Sequence, residues 1–253
     1  MIEITDIDDK RVKEFVSLRQ ATHDDDKVVI ESKNVLKKLF STDIKIHKIF
    51  TTIEHLDFIK DNSSEIDFEI YTASNAVMKK IVGHKIHQGM MALIDRPSYI
   101  SFDEIVGNVV VLNTLTSPEN VGSIVRSCAA FGVKNIIVDE SCCSPFLRRC
   151  IRVSTGNIFN LNVYKSANLK EDLQALKTKG YSILSTANEE GAVSLQDYDF
   201  SSQTAFIIGN EGYGVDKEIM AQSDKIIKID IDEEVTSLNA AIAASIVLYQ
   251  MSL

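Results

Sequence analysis

Three polar corners in the second half of the chain carry side chains suited to group-transfer chemistry. The first is Ser117-Pro118-Glu119-Asn120-Val121-Gly122-Ser123-Ile124-Val125-Arg126, the second Gly209-Asn210-Glu211-Gly212-Tyr213-Gly214, and the third Thr236-Ser237-Leu238-Asn239-Ala240-Ala241. Arg126 offers a permanently charged fork of donors that fits a phosphate or a developing oxyanion. Glu211 could take up a proton, and Asn120, Ser237 and Asn239 could orient a bound group by hydrogen bonding. Each corner joins an apolar β-type run to a helical pattern. In open α/β folds ligands bind at such carboxyl ends of strands, so the three corners predict one composite site.

Each corner also has an ordinary reading. Asn120 suits a helix N-cap behind Pro118, and Gly122 permits close approach of another backbone. Taken alone, Arg126 reads as a surface arginine in an ion pair. Its small and apolar neighbours, Val125, Ser127, Cys128, Ala129 and Ala130, instead suggest a packed helix in which a charge needs a purpose. The glycines at 209, 212 and 214 allow positive φ and expose backbone N–H groups, or else form a plain tight turn with Glu211 in solvent. Their spacing is Gly-x-x-Gly-x-Gly and lacks the acidic partner that a dinucleotide fingerprint requires. Thr236 or Ser237 could cap the last helix, whereas Asn239, set in an alanine-rich apolar stretch, reads as a buried amide in need of partners.

The elements that must position these residues follow from periodicity. Residues 1–27 read as a polar start with a helix over Lys10–Arg19 and an acidic loop at Asp24-Asp25-Asp26. Strands at 28–30, 44–50, 68–71 and 89–94 alternate with helices at 34–40, 54–60 and 75–81, an α/β pattern of domain size. Asp95-Arg96-Pro97-Ser98 punctuates the chain. The expected division is a domain at 1–95, a linker at 96–106 and a second domain at 107–253. In the second domain, strands at 108–112, 135–138, 157–163, 181–185, 204–208 and 225–229 alternate with helices at 121–131, 145–151, 169–179 and 216–221. Their fully apolar strands imply a parallel sheet covered on both faces. The last helix, 237–251, is apolar nearly all round and calls for burial on most sides, most naturally in a subunit interface.

Composition excludes several classes. The 253 residues are 45% hydrophobic and 25% charged, the values of a soluble globular protein, and no apolar run spans a bilayer. The start lacks a signal-peptide pattern, so a cytoplasmic location is expected. The four cysteines, Cys128, Cys142, Cys143 and Cys150, have no metal-binding spacing, all five histidines precede residue 90, and no metal is expected. Net charge is −9; residues 1–100 carry 15 Lys and Arg against 17 Asp and Glu, the remainder 12 against 19. That balance excludes a non-specific nucleic-acid binder and confines any RNA contact to local patches. Candidates are Lys33, Lys37, Lys38, Lys79, Lys80 and Lys85, and Arg148, Arg149 and Arg152 on a helix of the second domain.

In order and spacing the three corners resemble motifs 1, 2 and 3 of the SpoU (TrmH-like) branch of the SPOUT methyltransferases, over roughly residues 107–253. Val28–Ile94, ending in His87-Gln88-Gly89-Met90-Met91-Ala92, is similar to the L30e-like RNA-binding domain that precedes the catalytic domain in many rRNA 2′-O-methyltransferases of this branch. The resemblance implies an α/β-knot, a deep trefoil knot with a mostly parallel sheet, behind a smaller L30e-like α/β domain. It implies S-adenosylmethionine as donor, a ribose 2′-hydroxyl of RNA as acceptor, and an obligate homodimer through the C-terminal domain. It places Gly209, Ile229 and Leu238 against the cofactor, Arg126 at the reaction, and Asn120, Glu211, Ser237 and Asn239 around it. The sequence departs from the family pattern at Ser117, usually aspartate, and at Asp230, usually proline. Large-subunit 23S ribosomal RNA is the expected acceptor. Transfer RNA, or a non-catalytic RNA-binding or ribosome-assembly role on the same fold, are the alternatives, and a nicotinamide-dependent oxidoreductase is a more remote one.

Overall fold

The structure, a computed structural model, describes residues 1–16, 26–63, 65–83, 89–189, 191–200 and 203–253. The expected helix end at Arg19, the loop at Asp24 and Asp25, and His23, His84, Lys85 and His87-Gln88 lie outside the described residues. The chain forms two compact units, Met1–Pro97 with Phe146–Phe159, and Ser98–Pro145 with Asn160–Leu253.

The first unit is built on a five-stranded mixed sheet in the order β1-β4-β3-β5-β2. Its strands are β1 (Ile2–Glu3), β2 (Lys27–Glu31), β3 (Ile46–Thr51), β4 (Glu69–Thr72) and β5 (Met90–Asp95). Helices α1 (Lys33–Leu39), α2 (Leu56–Asn62) and α3 (Asn75–Val82) alternate with them. β1 was not expected; it pairs with β4 at the sheet edge through only two residues, too short for a periodicity signal. The core gathers Phe15, Phe50, Tyr71, Met78, Ile81 and Met91.

The second unit carries a seven-stranded sheet in the order β10-β12-β9-β11-β6-β7-β8, with every strand pair parallel. These strands are β6 (Val109–Leu112), β7 (Asn135–Val138), β8 (Asn162–Lys165), β9 (Ser182–Thr186), β10 (Val193–Ser194), β11 (Thr204–Ile208) and β12 (Lys225–Lys228). β6, β7 and β11 are buried along their whole length, as their unbroken apolar runs require. Helices α4 (Pro118–Ala130), α6 (Leu169–Thr178), α7 (Lys217–Met220) and α8 (Ala240–Met251) belong to this unit. α6 is capped by Asn168 and buries Leu169, Leu173 and Leu176, each worth about 1.5–3 kcal/mol of apolar transfer. This α/β architecture, mostly parallel, agrees with the expected class, and the strand order is compatible with the knot implied by the resemblance.

Three expectations change. Residues 98–106 are packed structure of the second unit: the Ile100 amide donates to the Val163 carbonyl at 2.9 Å, Phe102 meets Tyr164, and Ser101 and Glu104 form a capping box. Residues 157–163 are a 3₁₀ turn, Asn157–Asn160, followed by β8, because Gly156 and Asn157 belong to the first unit and pack there beside Val35 and Lys38. Helix α5 (Arg148–Val153), expected in the second domain, lies with its flanks in the first unit, against β2. Arg152 Nη1 meets Glu31 Oε1 at 2.7 Å and Arg148 Nη1 lies 4.0 Å from Glu31 Oε2. These two arginines therefore neutralise a buried carboxylate and are not free RNA contacts.

Candidate active site

The first corner begins one turn earlier than expected. Ser117 is the N-cap of α4, its Oγ accepting from the Asn120 amide at 3.3 Å, and Pro118 opens the helix. Ser117 thus makes the cap, which leaves the Asn120 side chain to bond elsewhere. Asn120 Nδ2 donates to Glu211 Oε1 at 2.6 Å, and Asn239 Nδ2 donates to Asn120 Oδ1 at 3.0 Å. Asn239, rather than Thr236 or Ser237, caps α8, its Oδ1 accepting from the amides of Ala241 and Ile242. Its side chain is exposed rather than buried, but its partners are those a structured amide needs. Asn120, Glu211 and Asn239, from three corners, thus form one hydrogen-bonded relay.

Beside the relay, the loops after β9, β11 and β12 enclose a cavity of about 300 Å³. Gly209, Glu211, Ile229, Ser237 and Leu238 line it, together with Thr186, Asn188, Ile208, Ile227, Lys228 and Ala243. After β11 the chain folds back on itself: the amides of Asn210 and Gly214 exchange bonds with each other's carbonyls at 2.8 and 2.9 Å. A Cβ at Gly209 would lie 2.2 Å from the carbonyl carbon of Gly214 and from the amide of Val215, so only glycine fits this cradle. Gly214 turns at φ +75°, and Asn210 Oδ1 holds the Gly212 amide at 2.8 Å. Between the lining residues Ile229 and Ile231, Asp230, where the resemblance leads to proline, accepts from Ser194 Oγ and pairs with Lys228 at 3.5 Å. The Ser194 hydrogen bond holds its carboxyl below the usual carboxylate range.

Arg126 is placed differently from the rest. It projects from the exposed face of α4 and does not line the cavity. The small residues around it pack the opposite face, where Val121, Ile124, Val125 and Cys128 are buried and Ser127 Oγ meets Ser245 Oγ of α8 at 2.7 Å. α8 in turn leaves Ile242, Ile246 and Tyr249 at 54, 37 and 53% exposure, so within one chain its apolar surface is covered on one side only.

A largely buried polar cluster, which no sequence motif marks, ties the loops after β6 and β7 to the start of α7. Asn113 Nδ2 donates to Asp139 Oδ2 at 2.9 Å and to Asp216 Oδ2 at 3.1 Å, while the Asp216 amide donates to Asn113 Oδ1 at 2.8 Å. Asp139 also accepts from the amides of Thr114, Ser141 and Cys142. Polar residues directly after β6 and β7, and one at the start of α7, were the available signal. Their spacing across 103 positions gave no local pattern.

The second unit is thus an α/β domain with a ligand-sized cavity at the carboxyl ends of parallel strands and a polar relay beside it. The chain belongs to the SpoU rRNA Methylase family, whose pattern matches residues 107–249, and is a methyltransferase of that family. It is 26% identical to an uncharacterized tRNA/rRNA methyltransferase of Mycobacterium tuberculosis, over 98% of this chain and 90% of that one. Its fold is similar to that of the AdoMet-bound rRNA methyltransferase from Sinorhizobium meliloti, with a TM-score of 0.85 and 20% identity over 99% of this chain and 97% of the other. It is also similar to an RNA 2′-O ribose methyltransferase, with a TM-score of 0.80 and 22% identity over 98 and 97% of the two chains.

Proposed function

We propose that the protein is an S-adenosylmethionine-dependent methyltransferase that modifies a ribose 2′-hydroxyl of RNA, with 23S ribosomal RNA as acceptor, and that it works as a homodimer. The observation that carries this reading is the Asn239–Asn120–Glu211 relay beside a strand-end cavity. The cavity suits the cofactor: Ile208, Ile227, Ile229 and Leu238 offer apolar walls for a purine, and Glu211, Lys228, Asn188 and Ser237 offer polar groups for its charged tail. The glycine cradle lets backbone approach closely. When bound, S-adenosylmethionine supplies an electrophilic methyl group on a sulfonium.

The chain's own part is alignment and charge. In-line displacement depends on holding the reacting atoms in register, which the relay does by fixing α4, the glycine loop and α8 to one another. Glu211, the carboxylate of this relay, serves as proton acceptor. The guanidinium of Arg126 clamps an RNA phosphate and stabilises the developing alkoxide. Its placement outside the cavity, on a helix packed against the half-covered α8, supports a site completed by a second copy that seats on Ile242, Ile246 and Tyr249.

The test is to map ribose methylation in RNA from cells with and without this protein, and to titrate the purified protein with S-adenosylmethionine by calorimetry. One 2′-O-methyl mark in 23S RNA should vanish with the protein, and the cofactor should bind one site per chain. A mark lost from transfer RNA instead would reassign the acceptor. Unchanged methylation with no cofactor binding would refute the enzyme.

A further inference from the structure

We propose that Asn113, which touches neither the cavity nor the relay, is a positioning residue for methyl transfer, setting the Asn120 corner against the Glu211 loop. This rests on the function proposed above. Asn113 closes β6 and is 2% exposed. Its side-chain amide joins the loops after β6, β7 and β11. Through Asp139 it reaches the Thr114 amide at the entry to the Asn120 corner. Through Asp216 it holds the chain just after the glycine loop that carries Glu211. A second stitch runs the same way, with Asn210 Nδ2 donating to the Thr114 carbonyl at 2.9 Å. Thr114 itself sits at φ +57°, a backbone state a β-branched residue rarely adopts unless its surroundings enforce it.

The chemistry requires an amide at this place. Two carboxylates, Asp139 and Asp216, converge on one side chain, which must donate twice to them and accept once from the Asp216 amide. Asparagine does all three while remaining neutral. An aspartate would be isosteric but would bring a third negative charge and no proton. Among the described residues the other titratable group facing the cluster is the Cys142 thiol, which donates to the Leu112 carbonyl and is kept protonated by burial. Glu140 and Lys217, next along the chain, are exposed.

The sign of the pH effect follows. Burial and two neighbouring carboxylates would raise the pKa of an aspartic acid at 113, so it gains a proton, and with it a donor, as pH falls. Asn113→Asp should lower kcat about a hundred-fold near pH 8 while S-adenosylmethionine affinity stays within about three-fold. Its activity and its thermal midpoint, each relative to wild type, should climb as pH is lowered toward about 6. Adding Asp216→Asn gives the new carboxylate at position 113 one amide donor but leaves it against Asp139, so the double substitution should recover part of the turnover and keep the rise at low pH. Wild-type kcat in folded Asn113→Asp, or a loss that is flat with pH and unrelieved by the double substitution, would overturn the proposal. If the single variant does not fold, the double substitution near pH 6, where the carboxyl at position 113 gains a proton to share with Asp139, decides: regained folding and turnover support the assignment, and an unfolded or inactive double variant at that pH rejects it. A wild-type protein that methylates no RNA would instead defeat the proposed function, and the pH dependence of the thermal midpoint would still report on Asn113.

Discussion

Arg126 and Gly209 act at opposite ends of the proposed reaction, and their substitutions should separate. Arg126 lies outside the cavity, so Arg126→Lys should keep cofactor binding within about two-fold while turnover falls about a hundred-fold or more, the loss typical of a single oxyanion-stabilising donor. Calorimetry alongside a methylation assay checks both halves. Gly209→Ala drives a methyl into backbone 2.2 Å away, so it should unseat the glycine loop, destabilise the protein by about 1–3 kcal/mol in chemical denaturation and abolish cofactor binding. Asp230 is gentler. Its folded pKa is depressed by Ser194, so the tie is complete above the ordinary carboxylate range and is lost as pH falls through the folded value. The thiols follow the same reasoning in the other direction: burial pushes the Cys128 thiol up to about 12, so native protein near pH 8 should leave Cys128 unalkylated by iodoacetamide in a peptide mass map, while unfolded protein reacts fully.

At the scale of elements, α8 makes the clearest prediction. Ile242, Ile246 and Tyr249 recur at helical spacing on one exposed face, and Ile246→Asp should convert the proposed dimer to monomer by sedimentation and reduce methylation with it. Much of this was legible in the sequence. The apolar β runs placed most strands to within one or two residues, and the three corners sit at strand ends and meet through Asn120, Glu211 and Asn239. What the sequence hid is non-local. Small residues around Arg126 pack α4 against α8 and say nothing of the arginine's own face. Ser117 took the cap that Asn120 was expected to make, because the proline that follows fixes the helix start. β10 and the Asn113 cluster depend on pairings between distant strands, which no local periodicity carries.

The molecule as a whole carries a net charge of −9, and two of its arginines are spent on Glu31. RNA affinity should therefore fall with salt along a shallow log–log line, with a slope no steeper than about −4 by filter binding, corresponding to few phosphate contacts. A steep slope would reveal a basic surface that the composition does not suggest. The route of the chain has a practical consequence of its own. It leaves the second unit after Pro145 and returns at Asn160, so a cut at Pro97 does not liberate two independent halves. The fragment 1–97 would keep Glu31 but forfeit both guanidiniums, stranding a carboxylate whose lost partners are worth about 3–5 kcal/mol, and the fragment 98–253 would bear an orphaned α5 with Cys150 and Ile151 laid open. Dissecting this protein calls for a graft that carries Phe146–Phe159 along with the first unit.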